Sequence, residues 1–277
     1  MQIKKITPTI GAELSGVDFT KDLTTAQQDE IYQALLDHQV IFVRGCDISP
    51  ANHVAFAQTF GDLDEPNPMY PGVDGFKNIM LLENDAKRPP DTNSWHTDLT
   101  FKVEQSFASI LVSRVVPDCG GDTLWSSNYA AYDALSEGMK ADLEGLSAVH
   151  DLGDFRNNFA QPKDGLSGEE RLNAAVGRMG HAIKPIIDEH PVTKRKFLNF
   201  NEAFITHIVG KTPNESNALR IWLANHMNQP EFQIRWRWCA NDVAMWDNRV
   251  TMHYAVADYA PALRSMNRIT VVRDRRS

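Results

Sequence analysis

The chain has 277 residues, 42% of them hydrophobic and 23% charged, with a formal net charge of −8. That length suits a single domain over residues 1–277, large enough to bury a core without disulfides or structural metals. The acidic balance, with no basic run beyond Arg273-Asp274-Arg275-Arg276, argues against a nucleic-acid partner, but it allows a pocket in which a few buried cations bind a small anion.

Near the start, Thr24 or Thr25 caps a helix carrying Ile31, Leu35 and Leu36. Val40-Ile41-Phe42-Val43 is an apolar run of buried-strand length. Ser49-Pro50, then Phe56, Ala57, Phe60 and Gly61, reads as a capped helix with proline in its first turn. Ala108-Ser109-Ile110-Leu111-Val112 is a second buried-strand run. Thr212-Pro213-Asn214-Glu215 is a capping box that opens a helix through Leu219, Trp222 and Leu223. In Phe232–Trp238 apolar and polar residues alternate strictly, as in a half-buried strand with its aromatic side inward. Further strands are expected at Val243–Trp246 and Asn267–Val272.

Strands therefore dominate the second half, with helices nearer the start and inserted between. There is neither regular βαβ alternation nor GxGxxG, and Gly120-Gly121-Asp122-Thr123 lacks the ending of a phosphate loop, which disfavours a doubly wound nucleotide-binding fold. A β-sandwich or barrel with helices outside fits better. Cys46, Cys119 and Cys239 show no CxxC spacing, and an odd number suits a reducing compartment. With no leader-like apolar stretch and no membrane-spanning run, a cytoplasmic protein is expected.

The chemistry concentrates at Trp95-His96-Thr97-Asp98. Residues two apart on an extended strand face the same way, so His96 and Asp98 can converge on one ion. Two histidines and one carboxylate leaving open positions is the ligand set of non-haem iron(II) oxygenases, and His253 is a candidate for the third ligand. His38, His53, His181, His190, His207 and His226 stand in helical or loop contexts without evident partners. His150 beside Asp151 is ambiguous. Arg264 and Arg268, four apart on the expected last strand, share one face. Turned inward they would need anionic partners; turned outward they would need none, and the residues alone leave both open.

At these residues the chain resembles the taurine/2-oxoglutarate dioxygenase family along nearly its whole length. The stretches that carry the resemblance are Ile10-Gly11-Ala12-Glu13-Leu14-Ser15-Gly16, Trp95-His96-Thr97-Asp98, Gly120-Gly121-Asp122-Thr123-Leu124-Trp125, Arg235-Trp236-Arg237-Trp238 and Trp246-Asp247-Asn248-Arg249-Val250-Thr251. The last leads into His253-Tyr254-Ala255, with Arg264 eleven residues after His253. The resemblance implies a mixed α/β fold with a mainly β core, a double-stranded β-helix (jelly roll) with helices packed outside. It implies iron(II) held by His96, Asp98 and His253, and 2-oxoglutarate whose distal carboxylate pairs with Arg264 and Thr123, with O2 as oxidant. Arg268 would grip the acidic group of a small anionic substrate, taurine in the first instance. Hydroxylation of the carbon bearing the sulfonate would then release sulfite and aminoacetaldehyde, with succinate and CO2. Relatives of this kind are often dimers or tetramers, so a homo-oligomer is expected.

Tyr70, Asp91, Phe159 and Phe204 fall where taurine enzymes place substrate-contacting residues. Asn67 replaces a sulfonate-binding histidine, Thr92 an asparagine near the amine, and Leu99 a valine, which tightens the pocket. Alkyl sulfates, other sulfonates and aryloxyalkanoates share the anionic head and remain open. Two readings from other classes are a zinc hydrolase and a non-catalytic binding protein on the same scaffold. The stretch Phe155–Gly168 has the composition of a lid or of an ordinary surface loop.

Overall fold

The structure is a computed structural model that describes residues 1–66, 70–90, 93–153, 156 and 165–277. The chain begins with β1 (Gln2–Lys5), β2 (Ala12–Ser15), α1 (Thr25–His38), β3 (Val40–Val43), α2 (Pro50–Phe60), β4 (Gly61–Leu63), β5 (Gly72–Val73) and β6 (Phe76–Asn84). It continues through β7 (Ala108–Val115), β8 (Thr123–Ser127), α3 (Asn128–Asp133), α4 (Glu137–Leu143), β9 (Ser147–His150), α5 (Gly168–Met179), β10 (Ala182–Pro185), β11 (Ile187–Glu189) and β12 (Lys196–Leu198). It ends with β13 (Ile205–Ile208), α6 (Pro213–Met227), β14 (Gln233–Trp236), β15 (Val243–Asp247), β16 (Thr251–Ala255) and β17 (Arg264–Asp274).

The helix starts follow from their caps. Thr24, Ser49 and Thr212 each accept a hydrogen bond from a backbone N–H three residues on, and Gln27 and Glu215 complete capping boxes for α1 and α6. Each such cap satisfies donors that a helix terminus leaves orphaned. Helices extend further along the chain than expected, since α3 to α6 are interspersed with β9 to β13 between Asn128 and Met227.

A large sheet runs β1-β2-β3-β15-β7-β17-β6-β5, with β4 also paired to β17, and a small sheet runs β14-β8-β16. The two face each other as a double-stranded β-helix. Side chains of the large sheet alternate between its two faces. Ile41, Val43, Ile110, Val112, Val243, Met245, Ile269 and Val271 pack outward against α1 and α2. Val40, Phe42, Leu111, Ala244, Trp246 and Met266 point inward and meet Trp125, Ile234 and Trp236 of the small sheet, with Trp238 just beyond β14. Both faces of the central strands are therefore buried, which is why they read as continuous apolar runs. Ile234, Trp236 and Trp238 are inward, as their alternation required, and Phe42 stacks on Trp236 at 4.0 Å between centroids. Phe232 differs, ending a 3-10 turn before β14 and packing on the outer side against His226. The outer face of the small sheet is covered by α3 and α6 together with β9, β12 and β13.

A polar cluster and a single buried histidine sit in this apolar frame. Asp247, 1% exposed, takes a two-point grip from Arg249 at 2.9 and 2.7 Å and faces His190 Nε2 at 3.0 Å. Arg249 also bonds Asp274, which accepts from the Tyr32 hydroxyl at 2.7 Å. Here the structure corrects the reading of His190 as partnerless: its carboxylate lies 57 positions away, beyond local pattern. His53, on α2, is fully buried beside the Ile110 backbone, and burial pushes it down to about 3.

A histidine whose folded pKa lies below its unfolded value cannot take up the proton that the unfolded chain binds. Stability is then full above the unfolded value near 6.5 and falls as pH drops from there toward 3. Replacing His53 with Leu is expected to flatten the dependence of unfolding free energy on pH between 6 and 4 by about 1.4 kcal/mol per pH unit. Urea titrations across that range measure it.

Candidate active site

Backbone geometry brings the two histidines together. His96 N–H donates to His253 O at 3.1 Å, and His253 N–H donates to His96 O at 2.8 Å, forming an isolated antiparallel bridge. A mutual pair of this kind sets both side chains on the same face, roughly 5.5 Å apart at the Cα atoms. The rings stand 4.1 Å apart between centroids, and the His253 ring lies 5.0 Å from that of Trp246.

Asp98 reaches the same point by a different route from the one expected. The extended segment ends at the bridge, Asp98 opens a turn, and Leu99 adopts φ 56. For a branched, bulky residue this left-handed conformation is strained, and the surroundings must hold it. Asn248 does so: its amide donates to Asp98 O at 2.9 Å while its carbonyl accepts from Asp98 N–H at 3.1 Å. The same amide donates to Ser106 Oγ at 2.7 Å. Asn248 in turn sits between Asp247 and Arg249, so the buried ion cluster fixes the residue that fixes Asp98.

His96, Asp98 and His253 are all buried, and their ligand-capable atoms lie within 4.8 Å of one another. Asp98 Oδ1 is 3.7 Å from His96 Nε2 and 3.8 Å from His253 Nε2. The Ser94 carbonyl, 2.9 Å from His96 Nδ1, can only accept, so Nδ1 carries the proton and Nε2 offers a lone pair. Burial holds both histidines below their ordinary value, well below it for His253. Burial alone would raise Asp98, but the Arg268 guanidinium beside it, helped by the Ser109 hydroxyl, holds it down to about 2. Two neutral imidazoles and an ionised carboxylate on one side of a buried space form a donor set that fits a divalent first-row metal and leaves the opposite side open.

Both arginines of β17 turn into the interior. Arg264, 6% exposed, donates through Nε to Gly121 O at 3.0 Å and through Nη2 to Thr123 Oγ1 at 3.4 Å. Gly121 has φ 72, and a Cβ there would stand 3.1 Å from Arg264 Cδ, so the glycine pair is a turn that presents a carbonyl to the guanidinium. Thr123 Oγ1 also accepts from Trp238 Nε1 at 3.0 Å. With both acceptances made by its oxygen, the hydroxyl proton of Thr123 is left to donate elsewhere. Arg268 lies at the other end, its Nη2 2.9 Å from Asp98 Oδ2 and its buried Nε without a partner among the described residues.

Beside the triad is an apolar wall. Phe204 meets His96 edge-on at 6.2 Å and Phe101 at 5.3 Å. Phe101, Leu152, Ala175 and Phe204 form one cluster with Leu99, Leu172 and Met179 against it. Of the expected substrate residues, Leu99, Phe204 and Arg268 thus gather here, and Tyr70 lies half-buried just before β5. Asn67, Asp91, Thr92, Phe159 and most of the expected lid lie outside the described residues. Sequence reasoning missed Ser94, Ser106 and Ser109 as neighbours of the site, and Gln105, whose amide donates to Asn248 O at 3.1 Å. Their only signal was a hydroxyl or amide placed in or beside an apolar strand.

Replacing Asn248 with Ala strands the Asp98 N–H and carbonyl in a buried place. We expect a loss of about 1–3 kcal/mol, read as a lower thermal midpoint of the metal-free protein.

The chain matches the family described as Taurine catabolism dioxygenase TauD, TfdA over residues 2–270. An alkylsulfatase of Acinetobacter baylyi is 35% identical over 98% of this chain and 84% of its own length. An alpha-ketoglutarate-dependent sulfate ester dioxygenase of Pseudomonas putida is 35% identical over 98% of this chain and 89% of its own. The crystal structure of a taurine dioxygenase from Burkholderia xenovorans, 33% identical, superposes with a TM-score of 0.82 over 99% of this chain and 89% of that one.

Proposed function

Because the chain belongs to the TauD/TfdA family of dioxygenases, we propose that it oxidises sulfate esters of small alcohols. It is a 2-oxoglutarate-dependent non-haem iron(II) dioxygenase, with O2 as oxidant. His96 Nε2, Asp98 Oδ1 and His253 Nε2 would hold the iron, Arg264 and Thr123 the distal carboxylate of 2-oxoglutarate, and Arg268 the substrate anion. Bound iron supplies the oxidative chemistry, in which 2-oxoglutarate and O2 become succinate and CO2 and one oxygen atom enters the substrate.

The observation that carries the substrate class is the combination of one cation, Arg268, touching a metal ligand with an apolar wall beside it. Arg268 would seat a monoanionic head so that the carbon next to it lies at the open side of the triad, a positioning effect. Leu99, Phe101 and Phe204 would line the path of an alkyl tail and exclude water. The charge count agrees: iron, Arg264 and Arg268 exceed Asp98 by about three charges, which 2-oxoglutarate and one monoanion neutralise. The taurine ammonium would add a charge against this wall. Hydroxylation of the carbon bearing the sulfate ester gives an unstable hemiacetal sulfate, which collapses to an aldehyde and inorganic sulfate. The two 35% identical relatives named for sulfate esters support this reading over taurine. A zinc hydrolase would leave Arg264 and Thr123 without a task.

The purified protein, supplied with iron(II), ascorbate and 2-oxoglutarate, should form succinate with hexyl sulfate and release sulfate in equal amount. Succinate formed only with taurine and matched by sulfite would restore the sulfonate reading, and succinate formed only with an aryloxyacetate would overturn both. Replacing Arg268 with Ala should raise KM for the sulfate ester at least tenfold with little change for 2-oxoglutarate, and Arg264→Ala the reverse, since each removes one charge-assisted contact. Equal effects on both ligands would sink the assignment of roles.

A further inference from the structure

The two oxygens of Asp98 have different neighbours. Oδ1 faces the Nε2 atoms of His96 and His253 at 3.7 and 3.8 Å. Oδ2 faces away from them and is held twice, by Arg268 Nη2 at 2.9 Å and by the Ser109 hydroxyl at 3.2 Å. Ser109 belongs to β7, where its neighbours Ala108 and Ile110 pack outward on the helix-covered face and Leu111 packs inward. It is wholly buried and stands between Trp246 on β15 and Thr270 on β17. Its hydroxyl therefore sits in the floor of the site, on a strand paired on both sides within the large sheet.

The terminal torsion of a carboxylate is broad and roughly two-fold. Left free, Asp98 could offer a metal either oxygen or both. Capture by both oxygens would occupy one of the positions that 2-oxoglutarate and O2 require, so the carboxylate must be kept one-sided. Of the two groups that keep it so, Arg268 has a second duty toward the substrate anion, and an arriving anion competes for its donors. Ser109 has no such duty. We propose that Ser109 is a positioning residue for the metal site: its hydroxyl holds Asp98 Oδ2 so that Oδ1 alone is presented to the ion, whether or not Arg268 is engaged by substrate. This rests on His96, Asp98 and His253 being the ligands, and the test separates the two claims.

The test uses Mn(II) alone as probe, with the full chain, and reads free Mn(II) by electron paramagnetic resonance. Asp98→Ala should abolish tight binding. Ser109→Ala should weaken Mn(II) binding roughly tenfold or more, the usual scale for losing a partner of a metal ligand. Ser109→Thr, which keeps the hydroxyl, should stay within about threefold of the unaltered protein on the same scale. Cooperative thermal unfolding of each metal-free variant shows that the sheet is intact. Unchanged Mn(II) affinity in Ser109→Ala, with Asp98→Ala inactive in binding, would overturn the role of Ser109 and leave the ligands standing. Equal losses in Ser109→Ala and Ser109→Thr would also overturn it, since packing rather than the hydroxyl would then be responsible. Retention of binding by Asp98→Ala would overturn the ligand set itself and the proposal with it.

Discussion

The mutual pair of backbone hydrogen bonds between His96 and His253 is what the site depends on. It joins a short segment that belongs to neither sheet onto β16, and it does so at the two residues whose rings must meet. Everything downstream is placed by it. Two residues after the bridge, Asp98 arrives beside the interior face of β7 and β17, where Ser109 and Arg268 receive its outer oxygen. Because the bridge is made by backbone groups, the placement survives changes in side chains around it, and the rings are free to be specialised as ligands.

Around that bridge the two sheets divide the work. The small sheet supplies His253 and the Gly121–Thr123 turn, and the large sheet supplies Arg264 and Arg268 on alternate inward positions of β17. The strand period of two therefore does for the two arginines what the bridge does for the two imidazoles. Cations four residues apart on one inward face grip different groups in the same cavity. Burying two guanidiniums is costly without partners. Gly121 O and Thr123 Oγ1 offset part of that cost for Arg264, and Asp98 does so for Arg268.

Much of this was legible in the chain because the signals are local. Thr24, Ser49 and Thr212 announce their helices through caps a few residues long, and Val40–Val43 and Phe232–Trp238 announce their strands through burial pattern. His96 and Asp98 are two apart, and their pairing could be read from spacing, although the reason given for it was half right. His96 lies in an extended bridge, while Asp98 lies in a turn and is steered by Leu99 at φ 56 and by the Asn248 side chain. What could not be read were partners distant in sequence: His190 with Asp247, Asn248 with Ser106, and Ser109 with Asp98. A serine inside an apolar strand looks like a minor interruption until the topology shows which carboxylate it faces. The inward direction of Arg264 and Arg268, left open by the residues, is settled by the phase of β17, in which Met266 between them packs inside.

The chain of contacts from Asp98 to Asn248, and from there through Asp247 and Arg249 to Asp274, has a consequence at the far end of the protein. Asp274 is the last residue of the last strand, yet its carboxylate is almost wholly buried and joins Arg249 to Tyr32 of α1. The end of this strand is therefore part of the buried ion cluster. Trimming back to Arg273 would strip the counter-ion from a buried guanidinium two residues from the Asp247 it shares, and loosen the clamp on the metal-binding turn from behind. The tolerance of this strand end to change is set by an ion pair rather than by its position in the chain.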